Sequence, residues 1–219
     1  QFGSILAVLV LYFHKLNPFS TQKNQKQKRD TLSLWGKVLI ATVPAGIIGL
    51  LFEEKINALF YNPTTVAITL IVYGVGFIVV ESQKRKGRIR SFAQMSARTA
   101  ALIGVFQVLA LIPGTSRSGA TILGAVMLGC TRTVAAEFSF FLAIPVMLGA
   151  SGLKLIKYAD LLVGPQLLTL LVGTVVAFVV SLFAIRFLMK FIQTHTFKPF
   201  GYYRIVLGVA VLLYFYVLA

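Results

Sequence analysis

The sequence predicts an all-α fold: a polytopic transmembrane helical bundle, one integral membrane domain over residues 1–219. Three observations predict it. Hydrophobic residues make up 58% of the chain and charged residues 12%, whereas a soluble domain runs nearer about half apolar and a quarter charged. Several apolar runs reach the roughly 18–20 residues that cross a bilayer. The net charge of +15 gathers in short stretches between those runs, which is a signal of membrane topology. In a soluble protein such a charge would suggest nucleic acid; here it does not, and no nucleic-acid partner is expected.

Six spans follow from the apolar runs. The first is Phe2 to Phe13, followed by the polar stretch HKLNPFSTQKNQKQKRD, which reads as a solvated loop. The second runs from Leu32 to Phe52 and the third from Thr64 to Val80, with EEKINALFYNP between them. The fourth is Val134 to Ile156, the fifth Leu167 to Leu188 and the last Ile205 to Ala219. YADLLVGPQ and MKFIQTHTFKPFGYYR connect these three. Tyr12, Trp35, Tyr61, Tyr73, Tyr202 and Tyr203 mostly sit near predicted span ends, as interface anchors do.

Charge orients the bundle. Lys15, Lys23, Lys26, Lys28, Arg29 and Lys37 lie in one connection, Lys84, Arg85, Lys86, Arg88, Arg90 and Arg98 in a second, and Arg186, Lys190, Lys198 and Arg204 in a third. The other connections hold only Lys55, Lys154 and Lys157. The three basic connections are therefore expected in the cytoplasm. His14 and His195 fall in such loops and are read as solvated. Cys130 is the single cysteine, which excludes an intrachain disulfide and speaks against a cysteine metal site.

Between the third and fourth spans the pattern breaks. Thr99 to Ile112 would make a helix of about 21 Å and Gly119 to Cys130 one of about 18 Å, each too short for a hydrocarbon core of about 30 Å. Pro113-Gly114 stops the first. Two half-length helices around a polar tip predict a re-entrant hairpin over residues 99–130. Irregular backbone at membrane depth is tolerated only when buried in protein or lining a watery cavity, and broken helices of this kind carry binding sites. Alternation of the spans agrees if the hairpin returns to the side it enters from.

The tip reads Pro113, Gly114, Thr115, Ser116, Arg117, Ser118, Gly119, Ala120, Thr121. An arginine at membrane depth needs a partner, and its planar fork suits two oxygens of one phosphate. A helix starting near Ser118 would aim free N–H groups and its positive dipole end at the same place. Ser116, Ser118 and Thr121 add hydroxyls, and Gly114 and Gly119 allow close approach of backbone. The cluster is aimed at phosphate or diphosphate, with Gly114, Thr115, Ser116, Arg117, Ser118 and Gly119 as binding residues. The alternative is an arginine paired with a carboxylate, Glu137 being the candidate. Ala120, Gly124 and Leu128 lie on one face with Ala125 and Gly129 beside it, a spacing that also serves tight helix contact.

PGTSRSGAT matches the PGxSRSGxT-type motif of the bacterial undecaprenyl-diphosphatase, or bacitracin-resistance, family. QFGSILAVLVLYFHKL, ATVPAGIIGLLF, IGVFQVLALIPGTSRSGATI, AAEFSFFLAIPVMLGA and FKPFGYYRI are similar to that family as well, so the resemblance spans the chain. It implies two inverted repeats, each a re-entrant pair followed by three helices. Residues 1–82 then form the remainder of the first repeat and 99–219 the second. It implies hydrolysis of undecaprenyl diphosphate to the monophosphate, which recycles the carrier for peptidoglycan and other cell-wall polymers and gives bacitracin resistance. It further implies a place in the bacterial inner membrane, a site open to the outer face and a divalent cation, Mg²⁺ or Ca²⁺. Arg117, Ser116 and Thr121 are then the catalytic candidates, with Gln107 and Glu137 secondary.

The family's first motif, with glutamates, a serine-rich tip and a histidine, precedes the helix that Gln1 opens. The chain is accordingly expected to be N-terminally truncated, to hold half of a site, and to leave most cation ligands and the nucleophile and base outside itself, with no metal site of its own. A homodimer is a candidate assembly. The rivals are a transporter or flippase of a polyprenyl phosphate lipid, a non-catalytic membrane scaffold, and the histidine-nucleophile class of lipid phosphatase. The last is opposed by the lack of a histidine in the hairpin.

Overall fold

A computed structural model describes residues 2–83, 87–158 and 164–218. Gln1, the basic-loop residues Lys84, Arg85 and Lys86, residues 159–163 of one connector, and Ala219 lie outside the described residues. The order is α1 (Phe2–Leu11), α2 (Phe13–Leu16), α3 (Gln25–Phe60), α4 (Pro63–Ser82), α5 (Ala97–Val108) with a 3-10 turn at Leu109–Leu111, α6 (Arg117–Met127), α7 (Arg132–Lys157), α8 (Pro165–Thr194) and α9 (Lys198–Leu213), closed by a π-helical turn at Tyr214–Leu218. Five of these helices are long and apolar enough to cross a membrane: α3, α4, α7, α8, and α9 with its following turn. The expected first span is the ten-residue helix α1, broken from α2 at Tyr12.

Helix ends follow local chemistry more closely than hydropathy does. The Asn24 side chain accepts from the Gln27 N–H while the Gln27 side chain accepts from the Asn24 N–H, a reciprocal cap. α3 therefore begins seven residues before the expected Leu32, and half of the polar loop is helical. At 36 residues it is about 54 Å long at 1.5 Å per residue, so it extends beyond the hydrocarbon at its ends. EEKINALF is helical too, as the end of α3. Asn62 caps α4, with Pro63 in its first turn, and Ser96 caps α5. Between α8 and α9 only three residues are non-helical, 195–197, where the hydropathy pattern predicts a loop over 189–204.

The hairpin does return to the side it enters from. The N–H groups of Arg88 and Ile89 donate to the Gly129 carbonyl at 2.8 and 2.9 Å, and Thr131 N–H donates to the Ile89 carbonyl at 3.0 Å. The end of α6 is thus tied to the segment that leads into α5. At the same end Arg132 Nε donates to Glu81 at 2.8 Å and Phe197 N–H donates to the same carboxylate at 3.3 Å. Three connections meet at this one buried carboxylate. Trp35 donates its indole N–H to the Leu16 carbonyl at 2.8 Å, which pins α2 to α3.

Glycine lets the helices cross closely. α4 packs chiefly on α9, α3 on α5, and α1 on α8. A Cβ on Gly74 would lie 2.7 Å from the Gly201 carbonyl oxygen, and one on Gly201 would lie 2.7 Å from the Gly74 oxygen. Gly208 meets the Ala67 oxygen at 2.8 Å in the same sense. A Cβ on Gly104 would run into the backbone of Ala41. Membrane helices associate by such packing, because lipid removes most of the hydrophobic drive. The core lies between α1, α3, α5, α6 and α7, where Phe138, Phe141, Ile103 and Met95 are buried. The best-spanning window of α8 holds no buried residue, as suits a helix facing lipid.

Gly74→Leu is expected to force α4 and α9 apart. Overpacking of this kind costs about 1–3 kcal/mol, read as a lower unfolding temperature in detergent. Gly152→Leu, at a position where a Cβ would meet nothing within 4 Å, should leave it unchanged.

Candidate diphosphate site at the hairpin tip

The tip is built from its helix start. Ser116 is the N-cap of α6, and its hydroxyl accepts the Gly119 N–H at 3.2 Å. A hydroxyl is needed there and a small residue at 119, because a Cβ on Gly119 would lie 3.1 Å from the Ser116 Cβ. The Ser118 hydroxyl lies 3.1 Å from that of Ser116. Among the described residues the N–H groups of Arg117 and Ser118, the first two of α6, have no protein partner. They leave the helix start free to receive an anion.

Gly114 has φ +83°, and a Cβ there would collide with Thr69 and Val66 of α4. Only glycine combines that conformation with that approach. Its carbonyl accepts Arg204 Nη2 at 2.8 Å, and the preceding Pro113 carbonyl accepts the Thr69 hydroxyl at 2.9 Å. Both of these carbonyls are taken by neighbouring helices, so neither is free to face a ligand.

Arg117 donates Nη1 to the Ser139 carbonyl of α7 at 3.2 Å. The alternative reading of the sequence, a pair between Arg117 and Glu137, is not what the structure shows. Glu137 instead holds Lys15, at 2.7 and 2.8 Å from its two oxygens, and joins α2 to α7. Its place as a secondary site candidate gives way to that of a satisfied tie. Thr121, by its residue type, is expected among the groups acting on the diphosphate. It is fully buried, and its hydroxyl is engaged with the carbonyls of Arg117 and Ser118 and with the Ser139 hydroxyl at 2.8 Å. These bonds tie the first turn of α6 to α7 behind the tip.

Five buried side-chain polar atoms lack a partner among the described residues: both amide atoms of Gln107, the Thr115 hydroxyl, and Nε of Arg117 and of Arg204. Three of these residues lie in the hairpin, and the fourth touches its tip. Buried polar groups are nearly always satisfied, and exceptions call for an explanation such as a ligand. Gln107 completes the buried stripe Ala100, Ile103, Gly104, Gln107 in the last turn of α5. Arg204 reads in the sequence as a loop charge, and its place at the tip is missed. The helical run from Lys198 is the available signal, since it sets Arg204 nearly two turns inside α9. Tyr73 lies in mid-α4, with the Arg204 guanidinium 5.8 Å from its ring centre.

Depth follows from α4. Thr69 and Val66 precede Glu81 by about 18 and 22 Å along the helix at 1.5 Å per residue. The tip is therefore far from the end where Glu81 joins the connections. A cavity of about 520 Å³ at that end is lined by His14, Lys15, Lys23, Asp30 and Phe92 among others. Its cations are engaged: Lys15 by Glu137, and Lys23 by the Asn17 carbonyl and Thr31 hydroxyl at 2.9 and 2.8 Å. His195 stacks on Phe191, away from the tip.

A family model described as bacitracin resistance protein BacA matches residues 1–210. The chain belongs to that family. It is 60% identical over 218 residues to undecaprenyl-diphosphatase 1 of Clostridioides difficile, covering 100% of this chain and 80% of the relative. It is 58% identical over 217 residues to the undecaprenyl-diphosphatase of Acetivibrio thermocellus, covering 98% and 80%. The figure for the undecaprenyl-diphosphatase of Enterococcus faecalis is 54% over 218 residues, covering 97% and 79%. The family resemblance implies a divalent cation, but guanidinium, hydroxyl and N–H groups suit an anion. Mg²⁺ and Ca²⁺ take carboxylate, carbonyl and water oxygens. The Pro113 and Gly114 carbonyls are occupied, and no group of three or more His, Cys, Asp or Glu side chains is placed to share a metal among the described residues. The tip does not fit the cation.

Thr121→Val keeps the shape and removes the hydroxyl shared with Ser139. It should destabilise the protein by about 1–3 kcal/mol, as for a buried hydrogen bond broken on one side, in thermal unfolding.

Proposed function

We propose that this chain removes the terminal phosphate of undecaprenyl diphosphate and leaves undecaprenyl phosphate, the carrier for envelope polymers, with the hairpin tip as the diphosphate site. The observation that carries the reading is the concentration of unpartnered donors at the tip. The activity for which the relatives are named supports it.

In phosphoryl transfer the protein's main work is to position the group and to stabilise its charge. Arg117, fixed at one end by Ser139, offers its remaining donors to the phosphate oxygens. The N–H groups of Arg117 and Ser118 add the helix-start field, and the Ser116 and Ser118 hydroxyls add further donors. The P–O bond to the terminal phosphate breaks and water supplies the new oxygen, giving the lipid monophosphate and inorganic phosphate. Ser116 is a cap and a ligand. Its hydroxyl meets only Ser118 and the Gly119 N–H, and no carboxylate or imidazole among the described residues bonds to it. An activated serine nucleophile needs such a base, so the tip binds and orients, and the groups that activate water lie elsewhere. Passive carriage of a lipid phosphate fits less well, because Thr69, Arg204 and Ser139 hold the tip from three helices.

With the basic connections in the cytoplasm, a tip about 18–22 Å from Glu81 sits past the middle of a hydrocarbon core of about 30 Å. The diphosphate would then enter from the outer face.

Phosphate release from undecaprenyl diphosphate in detergent tests the reading. It should be run on the chain and on the chain extended by the first re-entrant pair that the family resemblance implies. In whichever form is active, Arg117→Ala should lower release by about 10²–10³-fold, as removal of a charge-stabilising donor does. Unchanged release would overturn the reading. For orientation, Cys130 is buried and Lys26 is exposed. Lys26→Cys should react with a membrane-impermeant maleimide only after cells are permeabilised; labelling of intact cells would reverse the topology.

A further inference from the structure

Arg204 stands outside the motif that marks the site, yet among the described residues it makes the one side-chain hydrogen bond to the Gly114 carbonyl. We propose that Arg204 is a positioning residue of the diphosphate site. It clamps the left-handed turn at Gly114, so that this carbonyl is held away from the bound phosphate and Arg117 projects in its working direction. The inference rests on the diphosphatase reading and assigns a further residue to it.

Four observations carry it. Arg204 Nη2 donates to the Gly114 carbonyl at 2.8 Å. Without that bond, a carbonyl dipole three residues from Arg117 would be free to turn its oxygen toward the anion. The bond pairs with Thr69 on the Pro113 carbonyl at 2.9 Å, so two consecutive acceptors are masked from two different helices. Nε of Arg204 is buried and unpartnered, as is Nε of Arg117, so each guanidinium is anchored at one nitrogen and keeps donors in reserve. Finally, the head of Arg204 is held in place. It lies over the Tyr73 ring at 5.8 Å, next to the Gly74–Gly201 crossing where the two backbones meet. Gly201 and Arg204 are three apart and share a face of α9, so the crossing presses Arg204 onto α4 beside the tip.

The geometry also explains the depth at which a charge is tolerated. Arg204 is seven residues beyond Phe197, about 10 Å up α9 by rise. The backbone carbonyl and the aromatic face compensate the charge on the way to the tip.

The test is steady-state kinetics of phosphate release by the active form, with the folded fraction followed by thermal unfolding. Arg204→Leu is expected to lower kcat about 100-fold with KM nearly unchanged, the effect of a misplacement felt in the transition state. Arg204→Lys, which keeps a charge and one donor, should recover part of the loss, whereas Arg186→Gln should match the unaltered protein. Wild-type kcat in both Arg204 variants, or losses that only track the folded fraction, would overturn the proposal. If Arg204→Leu does not fold, Arg204→Lys decides alone: a lower kcat at an unchanged unfolding temperature supports the proposal, and an unchanged kcat overturns it. If the unaltered protein releases no phosphate, the diphosphatase reading fails. Stabilisation by inorganic pyrophosphate then decides: stabilisation weakened in Arg204→Lys supports the clamp, and equal or no stabilisation of the two proteins overturns it.

Discussion

The structure depends on one constraint, the satisfaction of backbone carbonyls where a helix is broken inside the bundle. A turn at membrane depth exposes polar groups that lipid cannot serve. Here Pro113 and Gly114 give their carbonyls to Thr69 and Arg204. The Arg117 and Ser118 carbonyls share the Thr121 hydroxyl, and Arg117 itself is tied to the Ser139 carbonyl. Carbonyls of the turn are taken by α4, α6 and α9, while the first N–H groups of α6 and Nε of Arg117 and of Arg204 keep no partner among the described residues. That imbalance suits the tip to an anion more than to a cation.

Close helix approach makes those bonds reachable. The Gly74–Gly201 crossing sets Thr69 and Arg204 on either side of the tip, and Gly114 fits between Val66 and Thr69 because it has no side chain. Gly124 accommodates the Phe106 ring, so the two arms of the hairpin pack tightly. At the other end, Glu81 with Arg132 and Phe197, and Glu137 with Lys15, fasten the connections. The ties at that end and the bonds at the tip fix both ends of the hairpin.

Much of this is legible in the sequence. The hairpin is visible because a length deficit and a Pro-Gly break are local properties. The cap at Ser116 and the glycine turn at Gly114 are local too, and the tip's residue types name the ligand chemistry. What escapes is set by contacts between distant segments. Glu137 has Lys15 as its partner 122 residues away, and nothing in AAEFSFFLAIP indicates that. Thr121 looks like a ligand because its type fits one, but its turn of α6 faces Ser139. Arg204 looks like a topology charge because it follows a basic stretch; helix α9 starts early enough to carry it inward. Capping likewise outruns hydropathy at Asn24, where a polar sequence continues as helix.

The most direct measurement is an experimental structure of the protein with a methylene-bridged prenyl diphosphate, which binds but cannot be cleaved. The account predicts phosphate oxygens within about 3 Å of the Arg117 guanidinium and of the N–H groups of Arg117 and Ser118, with Arg204 still on the Gly114 carbonyl. A diphosphate bound instead in the cavity lined by His14, Lys15 and Lys23, with the tip unchanged and empty, would contradict it.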